Sequence, residues 1–359
     1  MQIQSVKLTP YRLPLKQTWK TSNISLSSRK GWLIELSGEA GLSGFGDCAP
    51  LPASGTEQPL QANNWLETQS KRLQHTPAVD ALEQLSAAHL CPAARCGIET
   101  ALLDLISQSD QLSLRHWLNP AAENSIAVNT MIGPLGEDSS QPALHAVGQG
   151  YQVLKLKVGL NNIQEDIRLL ESLSAQLPRH ILLRLDANGA WSYRQAEAFI
   201  KAINHLPVES IEEPLQYSDL SKLCRLQDCT TIVLALDESI SKLKLDEIFK
   251  SQAVQRLIIK PVVRGGLLPS LALARRAASR GIETIITSTI ESAIGLQAAS
   301  QLAAAIPLTK STMAHGLATS DWLSNNVAPP PEIIQGKLQL TDTHGLGLSP
   351  YKGGTHANI

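Results

Sequence analysis

The sequence predicts an α/β barrel preceded by a smaller α+β unit. Three observations lead there: a change of pattern near residue 125, eight short apolar runs beyond it, and amphipathic helical stretches between the runs. The runs begin near Ser125, Gln152, Ile181, Glu209, Ile232, Arg256, Ile282 and Pro307, so successive starts lie 27, 29, 28, 23, 24, 26 and 25 residues apart. A doubly wound open sheet competes with this reading. The number of units and the lack of a phosphate-binding glycine loop count against it.

The elements follow in order. Residues 1–60 are β-rich, with short runs at Val6 to Leu13, Gly31 to Leu36 and Leu42 to Gly46, which predicts an antiparallel meander. Residues 60–118 are helical in pattern, and Ile98, Leu102 and Leu105 share a face of a helix from Ala93 to Ile106. Within the barrel, Ile163, Ile167, Leu170 and Leu177 line one helix, and Ala196, Ile200 and Ile203 line the next. The tail after Asp321 is rich in Pro, Gly and Asn and is expected to pack back on the N-terminal unit. The organisation is therefore 1–120 as an α+β unit, 121–320 as the barrel and 321–359 as a returning segment.

Composition narrows the function classes. Hydrophobic residues make up 43% and charged residues 18% of 359 positions, so a large core is expected and disorder is not. The formal net charge of −1 leaves no electrostatic footprint for nucleic acid or an anionic membrane. No apolar run is long enough to span a bilayer, and the start has no signal-like apolar stretch, so a cytoplasmic protein is expected. The five cysteines, Cys48, Cys91, Cys96, Cys224 and Cys229, lack C-x-x-C spacing and are expected to be buried free thiols. None of the nine histidines falls in a metal-binding frame.

The chemistry sits at strand ends. In Val153 to Val158, strand alternation puts Leu154, Leu156 and Val158 on one face and Lys155 and Lys157 on the other. The apolar face belongs against helices, so both lysines point into the barrel. Buried ammonium groups are costly unless carboxylates or a ligand compensate. The next three runs supply carboxylates at their C-terminal ends: Asp186, Glu212 with Glu213, and Asp237. The run after those ends in Lys260. Barrel active sites are built at this end. Three carboxylates without Cys or His describe a hard-cation site, best suited to Mg²⁺, with Mn²⁺ able to substitute. A metal beside a substrate carboxylate stabilises the dianion formed when the neighbouring carbon loses its proton. A lysine next to another cation can be neutral enough to take that proton. Lysine and Mg²⁺ acting on an enediolate is itself a standard example of tuned acid–base chemistry.

With these motifs in view, namely Lys155-x-Lys157, Asp186-x-Asn188, Glu212-Glu213-Pro214, Asp237-Glu238-Ser239 and Lys260-Pro261, the chain resembles the muconate-cycloisomerase-like branch of the enolase superfamily. The resemblance spans nearly the whole chain. It implies a modified (β/α)₇β barrel under an α+β capping domain. It implies metal binding by Asp186, Glu212 and Asp237, an acid/base pair of Lys157 and Lys260, and support of Lys157 by Lys155. Three further segments resemble the o-succinylbenzoate synthase family. One is Arg29-x-Gly31 with Gly44-Phe45-Gly46-Asp47-Cys48-Ala49-Pro50-Leu51-Pro52, where Asp47 replaces the usual Glu. Another is Thr287 to Leu296. Gly316 to Leu323 is similar to that family's segment after the eighth strand. The resemblance implies metal-dependent dehydration of a small cyclohexadiene carboxylate in menaquinone synthesis, with Ser288, Thr289, Arg184 and Asn188 as candidate substrate contacts.

Relatives with the same five catalytic positions define the alternatives. Mandelate-racemase-like enzymes place a His after strand seven, where this chain has Ser288. Dipeptide epimerases carry two acids after strand eight, where Thr319-Ser320-Asp321 offers one. Muconate cycloisomerase and N-succinylamino-acid racemase stay open on the residues alone. A non-catalytic barrel predicts erosion of at least one lysine or carboxylate position, and none is eroded. The oligomeric state is not legible.

Overall fold

The N-terminal runs pair as an antiparallel meander in which β1 (Ser5–Lys20), β2 (Ser25–Ser37) and β3 (Ser43–Cys48) lie in that order. The computed structural model describes residues 1–20, 25–85, 90–307 and 313–351. α1 (Pro59–Leu73), α2 (Ala78–Gln84) and α3 (Pro92–Ser109) cover this sheet. α3 is buried on nearly every face because it lies between sheet and barrel. Gly46 permits that approach: a Cβ there would stand 1.9 Å from the Gly97 carbonyl oxygen of α3.

The short α4 (Leu114–Leu118) leads to β4 (Ser125–Ala127) and β5 (Thr130–Pro134). Only β5 belongs to the barrel, so the run expected at Ser125 is divided. Its first half, β4, pairs instead with the tail strand β13 (Lys337–Gln339), which in turn pairs with β12 (Ile333–Ile334). The barrel then alternates α5 (Ser140–Gly148), β6 (Val153–Lys157), α6 (Ile163–Gln176), β7 (Leu182–Asp186), α7 (Tyr193–Ile203), β8 (Val208–Glu212), α8 (Leu220–Asp228) and β9 (Val233–Leu236). It continues with α9 (Leu245–Ser251), β10 (Arg256–Ile259), the one-turn α10 (Pro261–Arg264), α11 (Leu267–Ala278), β11 (Glu283–Ile286) and α12 (Ala293–Ala305). β5 to β11 form one parallel sheet of seven strands in sequence order.

Of the eighth run, expected from Pro307, residues 308–312 lie outside the described set. Among the described residues, His315 and Gly316 close the ring by parallel bridges to Val128 and Thr287. The Gly316 amide donates to the Ile286 carbonyl (2.9 Å) and the Asn129 amide to the His315 carbonyl (2.9 Å). Seven β/α units and a final strand give the (β/α)₇β barrel. His315 Nδ1 accepts the Ile286 amide (3.0 Å), and burial together with Arg184 and Arg256 lowers its pKa to about 3, so it stays neutral.

Inside the barrel, below the mouth, charges pair. A bulge in β8 leaves Glu209 without a partner residue on β7 and turns it inward beside Ser210. Arg184 donates to Glu209 (Nε, 2.8 Å), Asn129 and the Ala314 carbonyl. Arg256 donates to Glu209, Ser210 and Glu283.

The tail returns over the N-terminal unit. Leu323 bridges Leu15, the Ser324 amide donates to the Pro14 carbonyl, and the Leu346 amide donates to Asp104 Oδ1 (2.7 Å). The five cysteines are free; Cys48, Cys91 and Cys96 are buried, whereas Cys224 is half-buried and Cys229 exposed, because the last two lie on the outer helix layer. Among the described residues no helix is long and apolar enough to cross a membrane.

Candidate active site

Strand alternation does what the pattern predicts. Leu154 and Leu156 are fully buried toward the helices, and Lys155 and Lys157 face the barrel mouth. In the parallel register Lys157 pairs with Asp186 and Asp186 with Glu212, so the charged ends of β6, β7 and β8 stand side by side. Asp237 and Lys260 follow the last residues of β9 and β10.

Lys155 bridges two of the carboxylates. Its Nζ lies 3.2 Å from Asp186 and makes a short ion pair with Glu212. Lys260 holds the third, 2.6 Å from Asp237 Oδ2. Burial depresses the ammonium form of both lysines, and the carboxylates outweigh it, so both pKa values rise. Lys157 goes the other way. Burial lowers its pKa, and Lys155 and Lys260 add to the effect against the pull of Asp186 and Glu238. Of the three lysines it is the one biased toward the neutral form. Its ammonium position lies 5.8 Å from the centroid of the Trp19 ring, which reaches over from β1.

Among the described residues, no three acidic, His or Cys side chains are gathered into a ready cation cage. The lysines hold the carboxylates instead. Burial pushes Asp237 up to about 6, while the three lysines outweigh burial at Asp186 and hold it below the usual carboxylate range. Carboxylates from three consecutive strands, those of Asp186 and Glu212 buried, are a donor set that suits a hard divalent ion.

The mouth encloses a cavity of about 70 Å³, bordered by Lys155, Glu212, Ser288 and Thr319, with Trp19 and Trp322 on its rim. That is well under the ~300 Å³ at the lower end of small-molecule sites.

The four expected substrate contacts separate. Ser288 borders the cavity and shares a 2.6 Å hydrogen bond with Thr319. Thr289 does not reach it: its amide and its hydroxyl all donate to the carboxylate of Glu291, at 2.8 to 2.9 Å. Arg184 borders the cavity floor, with donors turned to Glu209, Asn129 and Ala314. Asn188 is exposed at the rim in a left-handed turn (φ 43°), and its amide donates to Asp186 Oδ1.

Sequence reasoning did not assign a place to Trp19 or Glu213. Glu213 accepts the Asp237 amide (2.7 Å) and both the amide and hydroxyl of Ser239. It thus fixes the loop that carries Asp237. The paired glutamates carried a signal for it, because alternation sends only one of two adjacent residues into the barrel.

Comparison with known proteins fits this geometry. The Enolase C-terminal domain-like family matches residues 140–352, and the MenC N-terminal domain family matches residues 3–105. An o-succinylbenzoate synthase of Desulfotalea psychrophila is 32% identical over 71% of this chain and 69% of its own length. An N-succinyl-L-Arg/Lys racemase of Bacillus cereus is 23% identical over 83% of each chain. Protein PHYLLO, chloroplastic, of Arabidopsis thaliana is 26% identical over 98% of this chain, which spans only 22% of that protein's length. The solved structure of an Enterococcus faecalis dipeptide epimerase with Mg and L-Leu-L-Tyr superposes with a TM-score of 0.85 at 27% identity, over 97% of this chain and 100% of that one. With its capped (β/α)₇β barrel and its lysine-flanked carboxylates, the chain belongs to the enolase superfamily.

Proposed function

We propose that the chain catalyses the o-succinylbenzoate synthase reaction, the syn dehydration of 2-succinyl-6-hydroxy-2,4-cyclohexadiene-1-carboxylate to 2-succinylbenzoate, in cytoplasmic menaquinone biosynthesis. The observation that carries the chemistry is the depressed pKa of Lys157 opposite a Lys260 held charged by Asp237. The match of residues 3–105 to the MenC N-terminal family, with the 32% identical synthase, favours this substrate over others of the branch.

In this reading residues 1–120 cap a catalytic barrel of residues 121–320, and 321–359 return to the cap. Asp186, Glu212 and Asp237 would hold Mg²⁺, or Mn²⁺ in its place. When bound, the ion supplies positive charge beside the substrate carboxylate, which lowers the cost of the enediolate. Lys155 keeps the carboxylates gathered and keeps positive charge beside Lys157. Neutral Lys157 takes the proton from the carbon bearing the carboxylate. The C–O bond on the neighbouring ring carbon then breaks, and the ammonium of Lys157 returns the proton to the departing hydroxide as water. Lys260 stays protonated and stabilises the anion from the other face. Aromatisation makes the product very stable, so lowering the first barrier is the enzyme's main task.

The second reading is N-succinylamino-acid racemase. Both lysines face the mouth, as a two-base racemisation needs, and one relative is named for that activity. The discriminating assay offers the cyclohexadiene substrate and an N-succinylamino acid side by side. Aromatic product is expected from the first. Racemisation of the second without dehydration of the first overturns the synthase reading.

A further inference from the structure

The cap motif Arg29-x-Gly31 and Gly44 to Pro52 has no place in the chemistry above, yet its charged side chains are buried against the barrel. Arg29 is 2% exposed. Its Nη1 and Nη2 donate to the carbonyls of Pro50 (3.1 Å) and Ala49 (2.7 Å), inside the cap. Its Nε donates across the seam to the Ile290 carbonyl, at 3.1 Å. Asp47 makes the companion contact. Its Oδ2 accepts the Ser292 amide (2.9 Å) and hydroxyl (2.7 Å), while its Oδ1 accepts the Tyr11 hydroxyl (2.6 Å). Gly295 leaves room for this approach, since a Cβ there would meet Asp47 Oδ2 at 2.8 Å.

The segment so gripped is strained. Ile290 has φ 62°, a left-handed conformation that a β-branched residue adopts only when its surroundings impose it. The imposing contacts are all present. The Ile290 amide donates to Ser288 Oγ (3.2 Å), Glu291 clasps Thr289, and Arg29 and Asp47 hold the residues at and beyond the turn. Ser288 and Ile290 both border the active-site cavity. The turn therefore sets where the Ser288 hydroxyl stands, and two cap residues set the turn.

We propose that Arg29 and Asp47 are positioning residues: they hold the Ser288–Ser292 turn in its strained form and thereby set the affinity of the site for the substrate group that meets Ser288. This rests on the dehydratase reading only for its kinetic arm. Contacts to a group that does not react act alike on ground and transition state, so their loss raises KM more than it lowers kcat.

The test is Arg29→Met in the full chain, with Arg29→Lys as the conservative variant, read by hydrogen exchange of residues 286–293 and by steady-state kinetics on the cyclohexadiene substrate. Arg29→Met is expected to speed exchange in that segment about tenfold while β6 to β10 stay protected, and to raise KM about tenfold with kcat within about threefold; Arg29→Lys should fall between. Unchanged exchange overturns the proposal, and so does a global loss of protection with kcat and KM altered together. If Arg29→Met does not fold, Asp47→Asn, which leaves one acceptor oxygen where the carboxylate offered two to Ser292 and Tyr11, carries the same expectations and the same overturning results. If the wild type fails to turn over the cyclohexadiene, the functional reading fails, and the exchange comparison still decides the positioning role.

Discussion

The Nζ of Lys157 stands 5.8 Å from the centroid of the Trp19 ring, so a cap side chain covers the least charged of the three active-site lysines. The other two lysines are tied to carboxylates, and Lys157 makes no such ion pair among the described residues. Lys157→Ala is expected to reduce kcat by about 10³-fold or more while the circular-dichroism spectrum and melting temperature stay near wild type. Turnover near the wild-type rate would remove Lys157 as the base.

Metal removal tests the carboxylate cluster. Treatment with EDTA is expected to stop turnover, and Mg²⁺ or Mn²⁺ to restore it. Asp186→Asn should raise the Mg²⁺ needed for half-maximal activity about tenfold or more. Full activity in the presence of EDTA would sink the metal assignment.

The barrel interior makes a stability prediction. Glu209 is shared by Arg184 and Arg256, whose side chains are 1% and 4% exposed. Glu209→Gln leaves two buried guanidinium groups with too little negative charge. A loss of about 3 kcal/mol is expected in urea unfolding, since breaking a buried pair strands its partner. A change under about 0.5 kcal/mol, the size typical of neutral surface substitutions, would show that water compensates there.

Asp104 gives a pH signature. It is buried and accepts the Leu346 and Phe45 amides, and burial nonetheless raises its pKa to about 6. The folded state then binds this proton more tightly than the unfolded chain, whose carboxyl titrates near 4. The group's contribution is present in full below about pH 4 and is lost as pH rises through about 6. Replacing it by Asn should therefore cost more stability at pH 4.5 than at pH 7.5, by on the order of 2 kcal/mol. Urea titrations of both proteins at the two pH values measure the difference; an equal cost at both would show that the carboxyl titrates normally.

The sequence alone determined the barrel and the charged strand ends. Both are written in short-range patterns: a strand-helix repeat, and a two-residue alternation that forces Lys155, Lys157, Asp186 and Glu212 to one side. The tertiary structure alone decided which nearby polar groups are free to meet a ligand. Thr289 turns to Glu291, and Arg184 turns to a Glu209 that a bulge has swung inward against the alternation. It also decided that Ser125–Ala127 stay out of the barrel, because they pair with the tail. Arg29 reaches Ile290 across 261 positions of chain. A contact of that span leaves no local periodicity to read, since only the folded packing of cap on barrel brings its two ends together.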